Sequence, residues 1–309
     1  MNVYYSLEEF RIPKNAVVTT GTFDGVHLGH KKVLSQLKKS TLFNLGHSVI
    51  ITFHPHPRSV LFPENTDLKL LNSLDEKINL LEGFGIDNLL ILPFTRTFSR
   101  LSSIEFVRDI LVNKVGTKKL IIGYNHQFGR NREGTFEHLK EFSSTYGFEV
   151  EEISAFDIND INISSTKIRE ALVLGKVNLA NQYLGYHYML SGKVVEGDKI
   201  GRTLGFPTAN IMVSDSNKLI PGSGVYAVLV EIDNKQYKGM LNVGTRPTVS
   251  NSEKTTIEVN LFDFNEIIYN KELTIKFVMR IRNEQKFDSI EKMQEQMRND
   301  KTKSLSLLS

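Results

Sequence analysis

The chain has 309 residues, of which 40% are hydrophobic, and this is enough to build two compact domains. It contains no cysteine, so disulfides, thiolate metal sites and zinc fingers are excluded, and a metal would need oxygen or imidazole ligands. The net charge of +3 is mild and the two signs are interspersed, which favours small anionic ligands and predicts no nucleic-acid partner.

Neither a signal peptide nor a membrane span is predicted. The first fifteen residues include two glutamates and no long apolar run, and no later stretch approaches the roughly 20 apolar residues of a membrane helix. We therefore expect a cytoplasmic protein with no membrane association and no obligate protein partner.

The first half of the chain alternates short apolar runs with amphipathic stretches. The strand-like runs are AVVTTG, SVIITF, NLLILPF, KKLIIGY and FEVEEIS. The helical stretches are HKKVLSQLKKSTLFN, SLDEKINLLEGF, SIEFVRDILVNKV, TFEHLKEFSSTYG and SSTKIREALVLG. This alternation predicts a Rossmann-like α/β domain, with helices on both faces of a parallel sheet and ligands at the carboxyl ends of the strands.

The second half consists of short strand-like runs. They begin near Ser191 and are YMLSGKVVEG, GVYAVLVEID, KQYKGMLNVG, TTIEVNLFDF and ELTIKFVMRI. Five or six strands spaced by roughly a dozen residues predict a small antiparallel barrel or sandwich. The amphipathic helix DSIEKMQEQMRND closes it, and the tail KTKSLSLLS is expected to fray. The boundary is expected between Asn181 and Tyr188, which gives domains 1–184 and 185–309.

The strand AVVTTG runs through the turn TFDGVHLGH directly into a helix, a pattern typical of a phosphate site. Glycines in the turn let the backbone approach a ligand, and the unpaired N–H groups of a helix N-terminus suit a phosphate. His27 and His30 fall on one face at the start of the helix, where imidazoles can donate to phosphoryl oxygens as charge builds on them. The alternative is a pair of surface histidines beside an ordinary loop; a metal site lacks an obvious third ligand.

Three further segments follow strands or begin a helix. In HPHPRSV, His54 and His56 are held by prolines, either in the cleft or merely shaping the loop. GYNHQFGRNREG brings Asn125 and Phe128, with nearby arginines, to a strand end where a second phosphate-bearing substrate can bind. Ser164 starts the helix of SSTKIREAL, where hydroxyls and basic groups would hold the β and γ phosphates of a nucleotide; the alternative is a plain helix cap.

Taken in order, GTFDGVHLGH, HPHPRSV, GYNHQFG and ISSTKIR resemble the adenylyltransferase half of prokaryotic bifunctional riboflavin kinase/FAD synthetases. The resemblance implies an ATP site made of Gly21, Phe23, Asp24, Gly25, His27, Gly29, His30, Ser164, Ser165, Thr166 and Arg169. It implies flavin contacts from His54, His56, Asn125 and Phe128. The chain departs from the family pattern at Lys167, where arginine is common, and at the pair Asn125 and His126.

The second half carries a glycine-rich segment, GDKIGRTLGFPTANI, that ends in a strand. Its Thr208 and Asn210 offer oxygen ligands for a hard cation such as Mg²⁺, although a turn-rich barrel loop would have a similar composition. In TTIEVNLFDF, Glu258 alternates with the apolar Ile257 and Val259, so it faces the ligand side if the opposite face is core. A carboxylate there would accept a hydroxyl proton during phosphoryl transfer; the alternative is a solvent-facing glutamate.

GRTLGFPTAN, PGSGVYAV, GMLNVGTRPTV, IEVNLFDF and KFDSIEKMQEQMRND resemble the riboflavin kinase module of the same family, so the resemblance spans nearly the whole chain. It implies a six-stranded barrel that binds Mg²⁺ and ATP phosphates through Thr208 and Asn210, with Glu258 as the base. The ATP loop is shaped by Gly201, Gly205 and Pro207. The implied flavin contacts are Asn242, Thr245, Arg246 and Arg282.

The function that this resemblance implies is phosphorylation of riboflavin to FMN by ATP, then adenylyl transfer from ATP to FMN, which gives FAD and pyrophosphate. Three alternatives remain open from the residues alone. They are a nucleotidyltransferase acting on another phosphate compound, a non-enzymatic flavin-binding or regulatory protein, and a nucleic-acid-binding protein. The C-terminal barrel argues against the first, and the intact site residues argue against the second.

Overall fold

The computed structural model describes residues 1–64, 68–124, 126–153, 163–197, 201, 205–247 and 253–309, without the side chains of 246–247 and 253–254. The chain divides into two compact units, the first made of Met1–Leu68 and Leu74–Ile163 and the second of Lys69–Ser73 and Ser164–Ser309. Residues 164–184 thus pack with the second unit. The division of the two activities at 184/185 stays a prediction.

The first unit is built on a parallel sheet, as the sequence predicts, and this sheet has six strands. Its strands are β1 (Asn2–Tyr4), β2 (Ala16–Thr20), β3 (His47–His54), β4 (Asn88–Pro93), β5 (Thr117–Gly123) and β6 (Glu149–Ile153). Their order is β1-β4-β3-β2-β5-β6, and every pairing is parallel. The short edge strand β1 was not predicted.

Helices connect these strands. They are α1 (Leu28–Phe43), α2 (Pro57–Leu61), α3 (Leu74–Glu82), α4 (Ser103–Glu105), which continues as a π-helix over Phe106–Val112, and α5 (Phe136–Tyr146). Short 3₁₀ turns lie at Phe98–Arg100 and Arg130–Arg132.

Both faces of the sheet are covered, which explains why its central strands are apolar along their whole length. All five residues of β2 are buried. Val17 and Leu89 point into a core with α1 and α3, whereas Val18 and Leu90 point into a second core with α5 and the π-helix. Since successive side chains alternate between faces, a strand buried on both sides needs a continuous apolar run. The carboxyl ends of the strands are left for the loops that carry the predicted site residues.

The second unit is a closed six-stranded antiparallel barrel, which confirms the barrel and rules out the sandwich. Two helices precede it, α6 (Ser165–Val173) and α7 (Val177–Leu184). Its strands are β7 (Met189–Val195), β8 (Ala209–Met212), β9 (Gly224–Ile232), β10 (Lys235–Pro247), β11 (Glu253–Leu261) and β12 (Glu272–Arg282). They close in the order β10-β11-β8-β7-β12-β9. Tyr188, Tyr226 and Phe277 are its largest fully buried side chains.

The closing helix α8 spans Ile290–Leu307, so the prediction of a frayed tail was wrong. Ser304 is fully buried and its hydroxyl donates to the carbonyl of Asp300 at 2.8 Å. Leu308 belongs to an apolar cluster with Val225 and Ile281. The sequence of the tail is largely polar, but Leu307 and Leu308 pack against the barrel, and that contact extends the helix.

A short piece of chain, Lys69–Ser73, belongs to the second unit although its neighbours in sequence belong to the first. Leu70 forms a parallel bridge with Lys218. The ammonium of Lys218 donates to the carbonyl of Leu71 at 2.6 Å and lies 4.4 Å from the centre of the Tyr188 ring. These contacts bury both Leu71 and Lys218.

Among the helices of the described residues, none has the length and apolar character needed to cross a membrane.

Candidate active sites

The turn between β2 and α1 has an unusual backbone. Phe23 and Val26 adopt positive φ angles of 47° and 35°, a region that residues with side chains rarely occupy, and Gly25 lies at 88°. The N–H of Val26 donates to the carbonyl of Phe23 at 3.2 Å, and that of Gly21 donates to Ile51 of β3 at 3.0 Å. Strained loops of this kind persist where surrounding structure enforces them, and they are common at binding sites.

His27 and His30 lie together at the start of α1, in accord with the predicted common face. His27 is the N-cap residue, and its Nδ1 accepts the N–H of His30 at 3.4 Å. In the neutral imidazole the proton therefore sits on Nε2. The two rings stack with centroids 3.7 Å apart and planes 17° apart, and Phe23 packs on His30 at 5.1 Å.

His30, the second imidazole of the pair, has a buried ring nitrogen. Within the described residues, Nδ1 of His30 is buried and has no hydrogen-bond partner. A buried polar atom left in that state costs about 1–3 kcal/mol, so a ligand or water that supplied the partner would be stabilised there.

Both imidazoles are neutral near pH 7. Burial lowers the pKa of His27 to about 4, although Asp24 opposes the change. Burial also lowers the pKa of His30 well below its usual value, and the neighbouring His27 and Lys77 lower it further. A neutral imidazole can donate one N–H, and negative charge brought close to it favours the protonated form.

A buried lysine beneath this turn was missed by the sequence reasoning. Lys77 of α3 is only 8% exposed, and its ammonium donates to the carbonyl of Thr22 at 2.8 Å. Burial lowers the pKa of Lys77, whereas the neighbouring Asp24 raises it. A signal was available, because Lys77 falls on the stripe of α3 that also carries Leu74 and Leu81.

Of the two segments predicted near the flavin, the one with His54 and His56 lies at the carboxyl end of the sheet. His54 ends β3 and is exposed, and His56 caps α2 by accepting the N–H of Arg58 at 3.2 Å. His56 therefore shapes the loop, which is one of the two roles considered for it. A contact between His56 and a ligand stays a prediction.

The segment after β5 has a buried interior. Asn125 lies outside the described residues. Phe128 packs in the core with Phe106, ring centroids 5.9 Å apart, so its ring serves the fold. His126 stacks on Phe128 at 6.1 Å, its Nε2 is buried without a partner among the described residues, and burial lowers its pKa to about 4.

The serine-rich segment begins α6 as predicted. Ser164 is the N-cap residue and its hydroxyl accepts the N–H of Lys167 at 3.3 Å. Ser165 and Thr166 form the first turn of the helix. Arg169 donates from Nε to the carbonyl of Lys69 at 2.7 Å, a contact that was not foreseen.

Three polar side chains form a row across the barrel. Glu258 of β11 pairs directly with Asn210 of β8 on one side and with Asn242 of β10 on the other. Directly paired residues point to the same face, and the intervening Ile257 and Val259 are buried in the core. The alternation predicted for Glu258 is therefore confirmed, and the half-buried carboxylate lies on the outer face between two amides.

The glycine-rich loop brings a hydroxyl to this row. Thr208 Oγ1 donates to Glu258 Oε2 at 3.4 Å. The carbonyl of Pro207 accepts from Asn260 Nδ2 at 2.7 Å, and the N–H of Phe206 donates to the carbonyl of Gly201 at 2.8 Å. A side chain at Gly201 would collide with the carbonyl of Phe206, so the loop requires glycine there.

The remaining residues predicted for the kinase site differ in their surroundings. Gly205 has a φ of 81°, a second position in the loop that favours glycine. The amide of Asn210 occupies the space in which a Gly197 side chain would lie. Thr245 is exposed, and the side chain of Arg246 lies outside the described residues.

Arg282, predicted to contact flavin, is held by a carboxylate of the closing helix. Its Nε donates to Asp300 Oδ2 at 2.9 Å, and its Nη2 lies 2.8 Å from the same oxygen. Gln296 also donates to Asp300, at 2.8 Å. Asp300 is buried, so the guanidinium is fixed as the counter-ion that joins β12 to α8.

The donor set near Glu258 suits a hard divalent cation. A hydroxyl, an amide and a carboxylate converge there from Thr208, Asn210 and Glu258, and all are oxygen donors of the kind that Mg²⁺ prefers. Within the described part of the chain there is no group of three or more His, Asp or Glu that would hold a metal by side chains alone. Such a cation would therefore depend on the nucleotide phosphates for further ligands.

Comparisons with known proteins match two family models to the chain. The family model of FAD synthetase matches residues 9–167, and that of riboflavin kinase matches residues 184–308. A bifunctional riboflavin kinase/FMN adenylyltransferase of Buchnera aphidicola is 41% identical over 94% of this chain and 93% of its own. The Bacillus subtilis protein of that name is 37% identical over 95% and 93%.

A solved structure has the same fold throughout. It is described as a macrolide-efflux protein from Streptococcus pneumoniae, is 32% identical, and aligns over 97% of both chains with a TM-score of 0.89. Fold and sequence thus agree over nearly the whole length, and the predicted union of the two enzymes in one chain is confirmed. The chain belongs to the family of bifunctional riboflavin kinases/FMN adenylyltransferases.

Proposed function

We propose that Thr208, Asn210 and Glu258 form the site at which riboflavin is phosphorylated. His27 and His30 form the site at which FMN is adenylylated. The two reactions are those of the family: ATP converts riboflavin to FMN, and a second ATP converts FMN to FAD and pyrophosphate. The observation that carries the kinase assignment is the row of Asn210, Glu258 and Asn242 beside the Thr208 hydroxyl.

In the kinase reaction, Glu258 accepts the proton of the ribityl 5′-hydroxyl of riboflavin. The hydroxyl oxygen attacks the γ-phosphorus of ATP, the bond to the β-γ bridging oxygen breaks, and ADP leaves. Thr208 and Asn210 bind the phosphates, and they would also hold Mg²⁺, which neutralises phosphate charge when bound. The amide of Asn242 lies beside the carboxylate and would orient the flavin hydroxyl.

In the adenylyl transfer, a phosphate oxygen of FMN attacks the α-phosphorus of ATP. The bond to the α-β bridging oxygen breaks and pyrophosphate leaves. The attacking group is already an anion, so a protein nucleophile is not needed and the site acts by orientation and charge stabilisation. The Nε2–H of His27 and the N-terminus of α1 are suited to this, because both donate hydrogen bonds to anionic oxygen.

The remaining predicted ATP contacts of this reaction stay predictions. They are Gly21, Phe23, Asp24, Gly25, Gly29, Ser164, Ser165, Thr166 and Arg169.

Two single substitutions separate the reactions. Purified protein is incubated with ATP and Mg²⁺, with either riboflavin or FMN as the flavin, and the products are separated over time. We expect Glu258→Ala to abolish FMN formation and to leave the conversion of FMN to FAD. His30→Gln is expected to do the reverse. Lys39→Met, which removes an exposed charge from α1, is the control and should behave as wild type. Equal loss of both activities in either site variant would contradict the assignment.

A further inference from the structure

Lys77 is buried where packing alone would favour an apolar residue. It falls on the inward stripe of α3 with Leu74 and Leu81, and burial of an ammonium group is costly unless its charge and hydrogen bonds are compensated. Compensation comes from the carbonyl of Thr22 at 2.8 Å and from the neighbouring carboxylate of Asp24.

The carbonyl of Thr22 is a fixed point in the turn before α1. It accepts hydrogen bonds from Lys77 and from the hydroxyl of Thr52, at 2.8 and 3.3 Å. In a trans peptide the C=O and the following N–H point in opposite directions, so anchoring this carbonyl directs the N–H of Phe23 away from Lys77. The ring of Phe23 in turn packs against His30.

We propose that Lys77 is a positioning residue for adenylyl transfer, which acts by anchoring the Thr22 carbonyl and by setting the charge around His30. The inference rests on the proposed binding of ATP at His27 and His30. Lys77 is not hydrogen-bonded to His27 or His30. It acts through the turn and through the electric field of its charge.

Removal of the Lys77 charge should change the pKa of His30 in a defined direction. The positive charge of Lys77 helps to lower the pKa of His30, so its removal raises that pKa. The titratable and charged groups on the elements around His30 are Asp24 in the turn, His27 and Lys31 at the start of α1, and Glu76 and Lys77 on α3. Without Lys77, the charge of the buried Asp24 is no longer opposed by that ammonium, and this also favours protonated imidazoles.

The test compares Lys77→Met, Lys77→Arg and the control Lys39→Met in full-length protein. For each, kcat and KM of FAD formation from FMN are measured between about pH 4 and about pH 8.5, and the imidazole signals are titrated by NMR. We expect Lys77→Met to lower kcat/KM by about 10²-fold, as a small misplacement of reacting groups does. We also expect the imidazole-dependent limb of its pH profile to move to higher pH. Lys77→Arg should recover most of the activity and the original profile.

Riboflavin kinase activity and circular dichroism report whether each variant folds. If Lys77→Met does not fold, Lys77→Gln replaces it, since the amide keeps a donor for Thr22 and removes the charge; its pH profile should shift in the same direction. A pH profile and imidazole titration identical to wild type in the neutral variant would overturn the inference. If instead His30→Gln leaves FAD formation at the wild-type rate, the proposed site itself is wrong.

Discussion

Acidification should weaken the first unit through His27. The pKa of His27 in the folded state, about 4, lies below the ordinary value of 6.5. At a pH between these values, His27 is therefore protonated in the unfolded chain and neutral in the folded chain. The associated stability is complete above the unfolded pKa and is lost as the pH falls toward the folded one. A difference of roughly 2.5 pKa units corresponds to about 3 kcal/mol in total, of which about 2 kcal/mol is lost between about pH 7 and about pH 5.

Hydrogen exchange of the buried amides in β2 and β3 measures this, because their opening free energy reports the stability of the sheet. The comparison is between wild type and His27→Gln. The variant loses the cap at all pH values, by about 1 kcal/mol, but it should lose about 2 kcal/mol less than wild type on acidification. His126 titrates in both proteins and cancels in the difference. Without His27 the pKa of His30 is lowered less, which reduces the acid sensitivity of the variant further. Parallel pH dependences would refute the reasoning, since His27 would then not be held neutral by burial.

Other predictions concern the second unit. Glu258→Gln should lower riboflavin kinase kcat by about 10²- to 10⁴-fold with little change in the KM for ATP, measured by FMN release; a kcat within about twofold of wild type would contradict a role as base. Gly201→Ala should raise the KM for ATP in the kinase assay and leave FAD formation from FMN unchanged, because its side chain meets the carbonyl of Phe206. Asp300→Asn should destabilise the barrel by about 3–5 kcal/mol, because it leaves the Arg282 guanidinium without its charge partner; calorimetry would show a lowered Tm, and an unchanged Tm would argue against the pair.

The parts of the fold that the sequence predicts are those governed by local patterns. The strand, glycine turn and helix around His27 are consecutive in the chain, so their joint geometry follows from short-range rules. The outward direction of Glu258 follows from the period of two in a strand whose other face is core. In both cases a periodic pattern of a few residues was sufficient.

The parts that were missed depend on partners distant in sequence. β1 has only three residues, and it becomes a strand by pairing with β4, where Asn2 donates to the side chain of Asn88 at 3.3 Å. The pairing of Arg282 with a carboxylate was not predicted, because the resemblance supplies residue types and not their neighbours, and its role as a flavin contact stays a prediction. Its carboxylate partner, Asp300, lies on a helix whose packing is set by the barrel. Burial of the Lys77 ammonium likewise requires knowledge of the turn above it.

The segment Lys69–Ser73 also has a consequence for the order in which the protein is made. Lys218 bonds to the carbonyl of Leu71, 147 residues earlier in the chain, so Leu71 leaves the ribosome long before Lys218 is made. At synthesis rates of about 5–20 residues per second, this apolar stretch waits on the order of ten seconds for its partner. The second unit, although it is the later half of the chain, therefore completes its folding with a piece that was translated first.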